Sequence, residues 1–190
     1  GFGGGPGGFR GARGGFRGGG ASTASFQSAF VYFDPATEKL ELFDFVQVVP
    51  RAGGQKIHFY KDRPLNQMTT INLIFENERA ALAEPLAFEA YRRSGVAAPR
   101  SHHVRLALNG QSVGYYLLNE QVNRAFLRRN KIADDGNLYK LLWYERGIVG
   151  QHEKKTNTRE GHDDLLALID ALGKTKGDEQ WELIKKNFAV

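Results

Sequence analysis

The chain contains no cysteine, which excludes disulfides and thiolate metal sites while leaving the compartment open. No apolar run approaches the roughly eighteen residues that a membrane-spanning helix needs, so no such span is expected. The five histidines have no recurring ligand spacing, and no zinc signature is present. Acids are missing from the first twenty positions, where twelve residues are glycine and Arg10, Arg13 and Arg17 supply three of the five net positive charges. That leaves only +2 for the remainder, too little to point to nucleic acid by itself. There is neither an initiator Met nor a recognisable signal sequence, and the chain reads as an excerpt of a longer protein.

What is present divides the 190 residues in two. Residues 1–25 are low in complexity, and glycine there cannot offset its ordering entropy with buried apolar surface. Arg13-Gly14-Gly15 and Arg17-Gly18-Gly19 among Phe2, Phe9 and Phe16 allow an RGG-like nucleic-acid segment. With three arginines, composition favours a flexible insert instead. A phosphate-cradling glycine loop would be shorter and fixed in spacing. Beyond this segment, 41% hydrophobic residues overall are enough to build one core.

Periodicity predicts a mainly antiparallel sheet with one helix packed on it. Asp34-Pro35-Ala36-Thr37 is a turn between the strands Phe30 to Tyr32 and Leu40 to Phe43, and Arg51-Ala52-Gly53-Gly54 is another. The KIHFY stretch from Lys56 to Tyr60 and the stretch Met68 to Phe75 read as further strands. A helix is predicted over roughly Glu78 to Ser94, with Leu82, Leu86, Ala90 and Tyr91 on one face. Pro85 allows the alternative that it starts at Glu84, with the proline in its first turn. Gly95 offers the left-handed stop. Val104, Leu106 and Leu108 then alternate toward Asn109-Gly110, a strong hairpin signal, and Val113 to Leu118 is the return strand.

Asn119 reads as the N-cap of the next helix, with Glu120 in its first turn and Val122, Phe126 and Leu127 on one side. Arg124, Arg128, Arg129 and Lys131 make one end of it basic, which reads as a solvated face rather than a phosphate patch. Asp134-Asp135-Gly136-Asn137 lacks the alternating acids of a calcium loop and is expected to be a turn. Asp163-Asp164 open a helix that closes at Gly173, and Asp178 caps a last one carrying Trp181, Ile184 and Phe188.

The order of these blocks, rather than any one of them, resembles the CotH family of atypical kinases. The blocks are a helix, GVAAPR, a strand ending in LNG, GYYLLNEQVNRAFL, DDGNLYK and then HEKKTNTREGHDDLLALIDAL, from about Lys56 to Val190. The resemblance implies an α+β, protein-kinase-like fold. Residues 26–118 would be the sheet and helix of an N-lobe, and 119–190 the inter-lobe connection and the start of a helical C-lobe. It implies ATP with Mg or Mn as cofactors of the full-length protein, and Ser or Thr hydroxyls of protein substrates as acceptors. The expected location is open among cell envelope, export and spore coat.

The resemblance also nominates site residues. Lys56 could meet ATP phosphates as a kinase strand lysine does, with Lys61 as the fallback and Glu84 as a pairing acid. The family usually leads into this strand with two basic residues, whereas Gly53-Gly54-Gln55 stand here. Glu120 and Gln121 fall where the connection between lobes would meet adenine and ribose. Lys154 and Lys155 could face phosphate or an acidic substrate. No catalytic or metal-binding residue is nominated, because the family's Asp beside an asparagine pair and its WD-x-D stretch do not occur. They are expected beyond Val190, so these 190 residues alone should be unable to transfer phosphate. The competing readings are a non-catalytic coat or surface interaction domain and, more remotely, an RGG-driven RNA-binding module.

Overall fold

The computed structural model describes residues 24–75, 82–142 and 144–187. The Gly/Arg-rich segment up to Thr23 lies outside them, and with it the RGG-like reading. The strand β1 (Phe26–Asp34) turns back into β2 (Lys39–Arg51), and the Asp34 carboxylate holds the turn by accepting from Ala36 N at 3.0 Å and Thr37 Oγ1 at 2.9 Å. Then follow β3 (Gly54–His58), β4 (Thr70–Phe75), the helix α1 (Ala83–Arg93), β5 (Ser101–Leu108) and β6 (Gln111–Glu120). These six strands form one antiparallel sheet in the order β1-β2-β3-β4-β6-β5. The connection through α1 therefore carries β5 to the edge before β6 returns beside β4.

Alternation divides the sheet into two faces. Val46, Val48, Ile57, Ile71, Leu73 and Leu118 bury one face together with Phe43 and Phe59. Phe30, Phe43 and Phe59 meet there edge to face or tilted, with Phe43 and Phe59 centroids 4.9 Å apart. Residues paired directly across strands share a face, so the pairs Lys56–Asn72, Asn72–Asn119 and Asn119–Ser101 set one polar row across β3, β4, β6 and β5 on the other side. Gly54 starts β3 where a Cβ would sit 2.0 Å from Leu73 O, so no larger residue fits without moving the β4 backbone.

The hairpin is as predicted: Asn109 (φ 52°) and Gly110 (φ 80°) join β5 to β6 in the conformation that this dipeptide favours. A bulge at Leu106/Ala107 shifts the register, and Leu108 is left 41% exposed, whereas Val104 and Leu106 pack against the core. The helix α1 begins at Ala83 with Pro85 in its first turn, the alternative in which its missing donor costs little. Its apolar stripe points outward, against expectation for a core-packed helix: Leu82, Leu86 and Tyr91 are more than half exposed. The inward side carries Glu84, Phe88 and Arg92, the last donating to Pro99 O at 2.8 Å.

The expected helix start at Asn119 is displaced. Pairing of Asn119 with Asn72 and of Glu120 with Ile71 extends β6 through Glu120, and ladder hydrogen bonds outweigh the local capping preference. The cap is Asn123, whose Oδ1 accepts from Ala125 N and Phe126 N, and α2 spans Arg124–Arg129. The arginines of α2 are not simply solvated either. Arg124 holds Asp134 O and Asn157 Oδ1, Arg128 pairs with Asp134, and Arg129 pairs with Glu120.

A second, two-stranded antiparallel ribbon is made by β7 (Tyr139–Leu141) and β8 (His152–Lys154), with the short α3 (Ile148–Gln151) leading into β8. Two helices follow, α4 (Asp163–Lys174) and α5 (Gly177–Asn187). Asp178 lies inside the first turn of α5 rather than capping it, and Trp181 is 51% exposed.

A cation-lined cleft between sheet and ribbon

The polar row of the sheet faces a cleft of about 550 Å³, closed by α1 on one side and by the β7–β8 ribbon on the other. Its size is that of a small-molecule site. Four cations from four different segments line it: Arg51 at the end of β2, Lys56 on β3, Lys140 on β7 and Lys155 just past β8. Lys56 is half-buried, and its ammonium is pushed down to about 8, first by burial and then by Arg51 and Lys155. Glu153 opposes that shift and Lys140 adds to it. His58, next on the strand but one, is lowered by burial and by the same Lys56 and Arg51 charges, and its Nδ1 lies 3.1 Å from Thr70 Oγ1. So much like charge around a half-buried lysine is costly without an anion, and a bound phosphate chain would relieve it.

The nominated residues separate. Lys56, Gln121 and Lys155 line the cleft, as does Glu84 from the first turn of α1. Lys155 is ion-paired with Glu153, also in the lining. Lys61 is exposed beyond β3 and is not among the lining residues. Glu120 borders the cleft, but its side chain is 1% exposed and accepts from Arg129 Nη2 at 2.5 Å, Arg129 Nε at 3.0 Å and Arg100 N at 3.0 Å. That carboxylate is committed to holding the end of β6 against α2.

The backbone donors expected to meet adenine are engaged as well: Glu120 N donates to Arg100 O and Gln121 N to Thr70 O. Gln121 instead braces the polar row, its Oε1 accepting from Asn72 Nδ2 at 3.3 Å.

Lys154 turns away from the cleft, because successive strand residues alternate and Glu153 and Lys155 take the other side. Its side chain is 4% exposed, donates to Gly161 O at 2.7 Å, lies 3.5 Å from Glu160 and sits over the Tyr139 ring. The same block supplies Thr156, whose hydroxyl donates to Gly136 O and accepts from Leu138 N, and Asn157, which binds Asp135 O. Across it, Asp164 accepts from Tyr139 Oη at 2.6 Å and Asn137 Nδ2 at 2.9 Å. These bonds hold the Asp164 carboxyl down at about 2, and burial together with that carboxylate pushes the Tyr139 phenol up to about 12.

The EKKT block is thus in large part a latch joining the 134–138 turn, the ribbon and α4. Lys154→Ala is expected to cost about 1.5–3 kcal/mol in chemical denaturation and to leave anion binding within about twofold of wild type. Lys155→Ala should do the reverse, and equal effects of the two on binding would place both in the cleft.

Periodicity did not single out Arg51, Asn72, Asn119, Lys140 and Glu153, all of which line the cleft. Only strand pairing reveals that Asn72 lies beside Lys56 and Asn119 one strand further along the same row. Among the described residues, no group of three or more His, Asp or Glu is placed to hold a metal ion, and no helix is long and apolar enough to cross a membrane.

Fold and site together define an α+β protein with a six-stranded antiparallel sheet and a cation-lined cleft on one face. The chain belongs to the CotH kinase family: the family model described as CotH kinase protein matches residues 56–190. A search of curated proteins finds no match to the chain.

Proposed function

We propose that the chain is the nucleotide-binding part of an ATP-dependent protein kinase with a kinase-like fold, which acts on Ser or Thr hydroxyls of protein substrates. The observation that carries this reading is the convergence of Arg51, Lys56, Lys140 and Lys155 on one cleft in a member of the CotH kinase family. Phosphoryl transfer is mostly placement and charge neutralisation, and a half-buried lysine among further cations suits the β- and γ-phosphates. The turn formed by Arg51 to Gly54 borders the same cleft, where a glycine-containing turn lets backbone come close to phosphate.

Asn72, not a lysine, occupies the strand leading to α1, and Lys56 reaches the cleft from the neighbouring strand. Mg or Mn, where bound, would supply charge neutralisation for the phosphates. The acids of the cleft are Glu84, Glu120 and Glu153, and Glu120 is already committed to Arg129. In this reading the catalytic acids come from sequence outside these 190 residues.

The test is transfer of the ATP γ-phosphate by the full-length protein, beside ATP binding by the 190-residue chain. Saturable ATP binding by the chain, with transfer by the full-length protein alone, is expected. Binding without transfer by either, across several acceptor proteins, would favour the non-catalytic interaction domain. No binding at all would remove the nucleotide reading.

A further inference from the structure

We infer that Asn119 is the residue that selects the base, reading the amino and ring-nitrogen edge of a 6-aminopurine. This rests on the nucleotide reading of the cleft. Asn119 lines the cleft and is 5% exposed, and its Oδ1 is buried with no hydrogen-bond partner. A buried carbonyl left unpaired is destabilising, so an orphan at a ligand cleft marks a place for a donor. Its direct cross-strand neighbour Ser101 also has a buried, unpartnered Oγ, which does not donate to that oxygen.

The placement fits a nucleotide laid across the sheet. Asn119 is two strands from Lys56 along the polar row, about 10 Å at the usual strand spacing, which is the order of the separation between base edge and phosphate chain in an extended nucleotide. The backbone N–H groups of Glu120 and Gln121 are spent on Arg100 O and Thr70 O, so neither is left to donate to a ring nitrogen of the base. A carboxamide is matched to adenine, because its oxygen accepts from the 6-amino group while its nitrogen donates to N7. Guanine presents a carbonyl at position 6 and would set acceptor against acceptor.

The experiment is calorimetric binding of ATP, GTP, 7-deaza-ATP, purine riboside triphosphate and inorganic tripolyphosphate, with magnesium, to the 190-residue chain. The variants Asn119→Leu and Ser101→Ala are taken in parallel. ATP is expected to bind about tenfold or more tighter than GTP and than each analogue that lacks one of the two edge groups. Asn119→Leu should abolish those differences and leave tripolyphosphate affinity unchanged.

Ser101→Ala should keep the base preference, which separates base reading from a merely structural Ser101–Asn119 contact. Equal affinity of the wild-type chain for ATP and both analogues would overturn the assignment without any variant, and tripolyphosphate binding would then still support the cationic cleft. Preference retained in folded Asn119→Leu would overturn it too. Failure of tripolyphosphate and ATP alike would overturn the nucleotide reading and this inference with it.

Discussion

Arg129→Ala is expected to destabilise the protein by about 3–5 kcal/mol, because it strands a buried carboxylate. The Glu120 side chain is 1% exposed and Arg129 11%, and the guanidinium meets both carboxylate oxygens in a two-pronged bond. Arg129 also lies over the Phe126 ring at 5.5 Å and reaches Ala98 O, so truncation loses packing as well as charge. What remains for Glu120 is the backbone donor of Arg100.

The cost belongs to the orphaned partner more than to the pair. Glu120→Leu combined with Arg129→Met should therefore recover most of it, since paired buried charges can often be exchanged for apolar groups of similar volume. Urea denaturation of the two variants beside the wild type measures this directly. A loss under about 1 kcal/mol for Arg129→Ala would mean that the pair behaves as a solvated surface bridge. Placement makes the pair matter for the cleft: it fixes the last residue of β6, immediately after Asn119 and before Gln121, against α2.

The hairpin around Asn109-Gly110, the Asp34 turn and the strand at Lys56 were legible because each rests on local chemistry. The N-cap at Asn119 was misplaced for the opposite reason. Whether an asparagine caps a helix or pairs in a ladder depends on Asn72, 47 positions earlier, which no local pattern carries. The outward turn of Leu82, Leu86 and Tyr91 has the same origin, since a helical stripe gives a face but not what lies against it.

Charge was ambiguous in a similar way. Arg124, Arg128 and Arg129 read as a solvated face and are spent on Asp134, Asn157 and Glu120. Lys154 and Lys155 are adjacent in sequence and fall on opposite sides of a ribbon. The family's motif order nominated Lys56, Gln121 and Lys155, but the groups that line the cleft with them converge only through strand pairing.

Lys56→Met is expected to weaken polyphosphate or ATP binding by about ten- to a hundredfold, the loss of one charge-assisted contact in a partly desolvated site, with little change in fold because the aliphatic stem is kept. The pH dependence gives the sharper result. The Lys56 ammonium is held near 8 in the free protein, against an ordinary value of 10.5, by burial and by Arg51 and Lys155. A bound anion favours the charged form and raises that value again. Binding above pH 8 must therefore take up a proton, and affinity should fall as pH rises through 8, by at most about tenfold per unit for one linked group.

Stability moves the other way. The folded value lies below the unfolded one, so between about 8 and 10.5 the unfolded chain holds more protons and the ligand-free protein gains stability as pH rises. Below 8 the ammonium is charged in both states, and its burial acts as a constant penalty. Isothermal titration with tripolyphosphate from pH 6.5 to 9.5 checks the first limb, and urea midpoints across the same range check the second. In Lys56→Met both profiles should flatten where the wild type bends. A wild-type affinity that does not change between pH 7 and 9.5 would mean that Lys56 does not contact the anion. Opposite slopes for binding and stability, both removed by one substitution, are not expected of a lysine that is merely solvated at the cleft's edge.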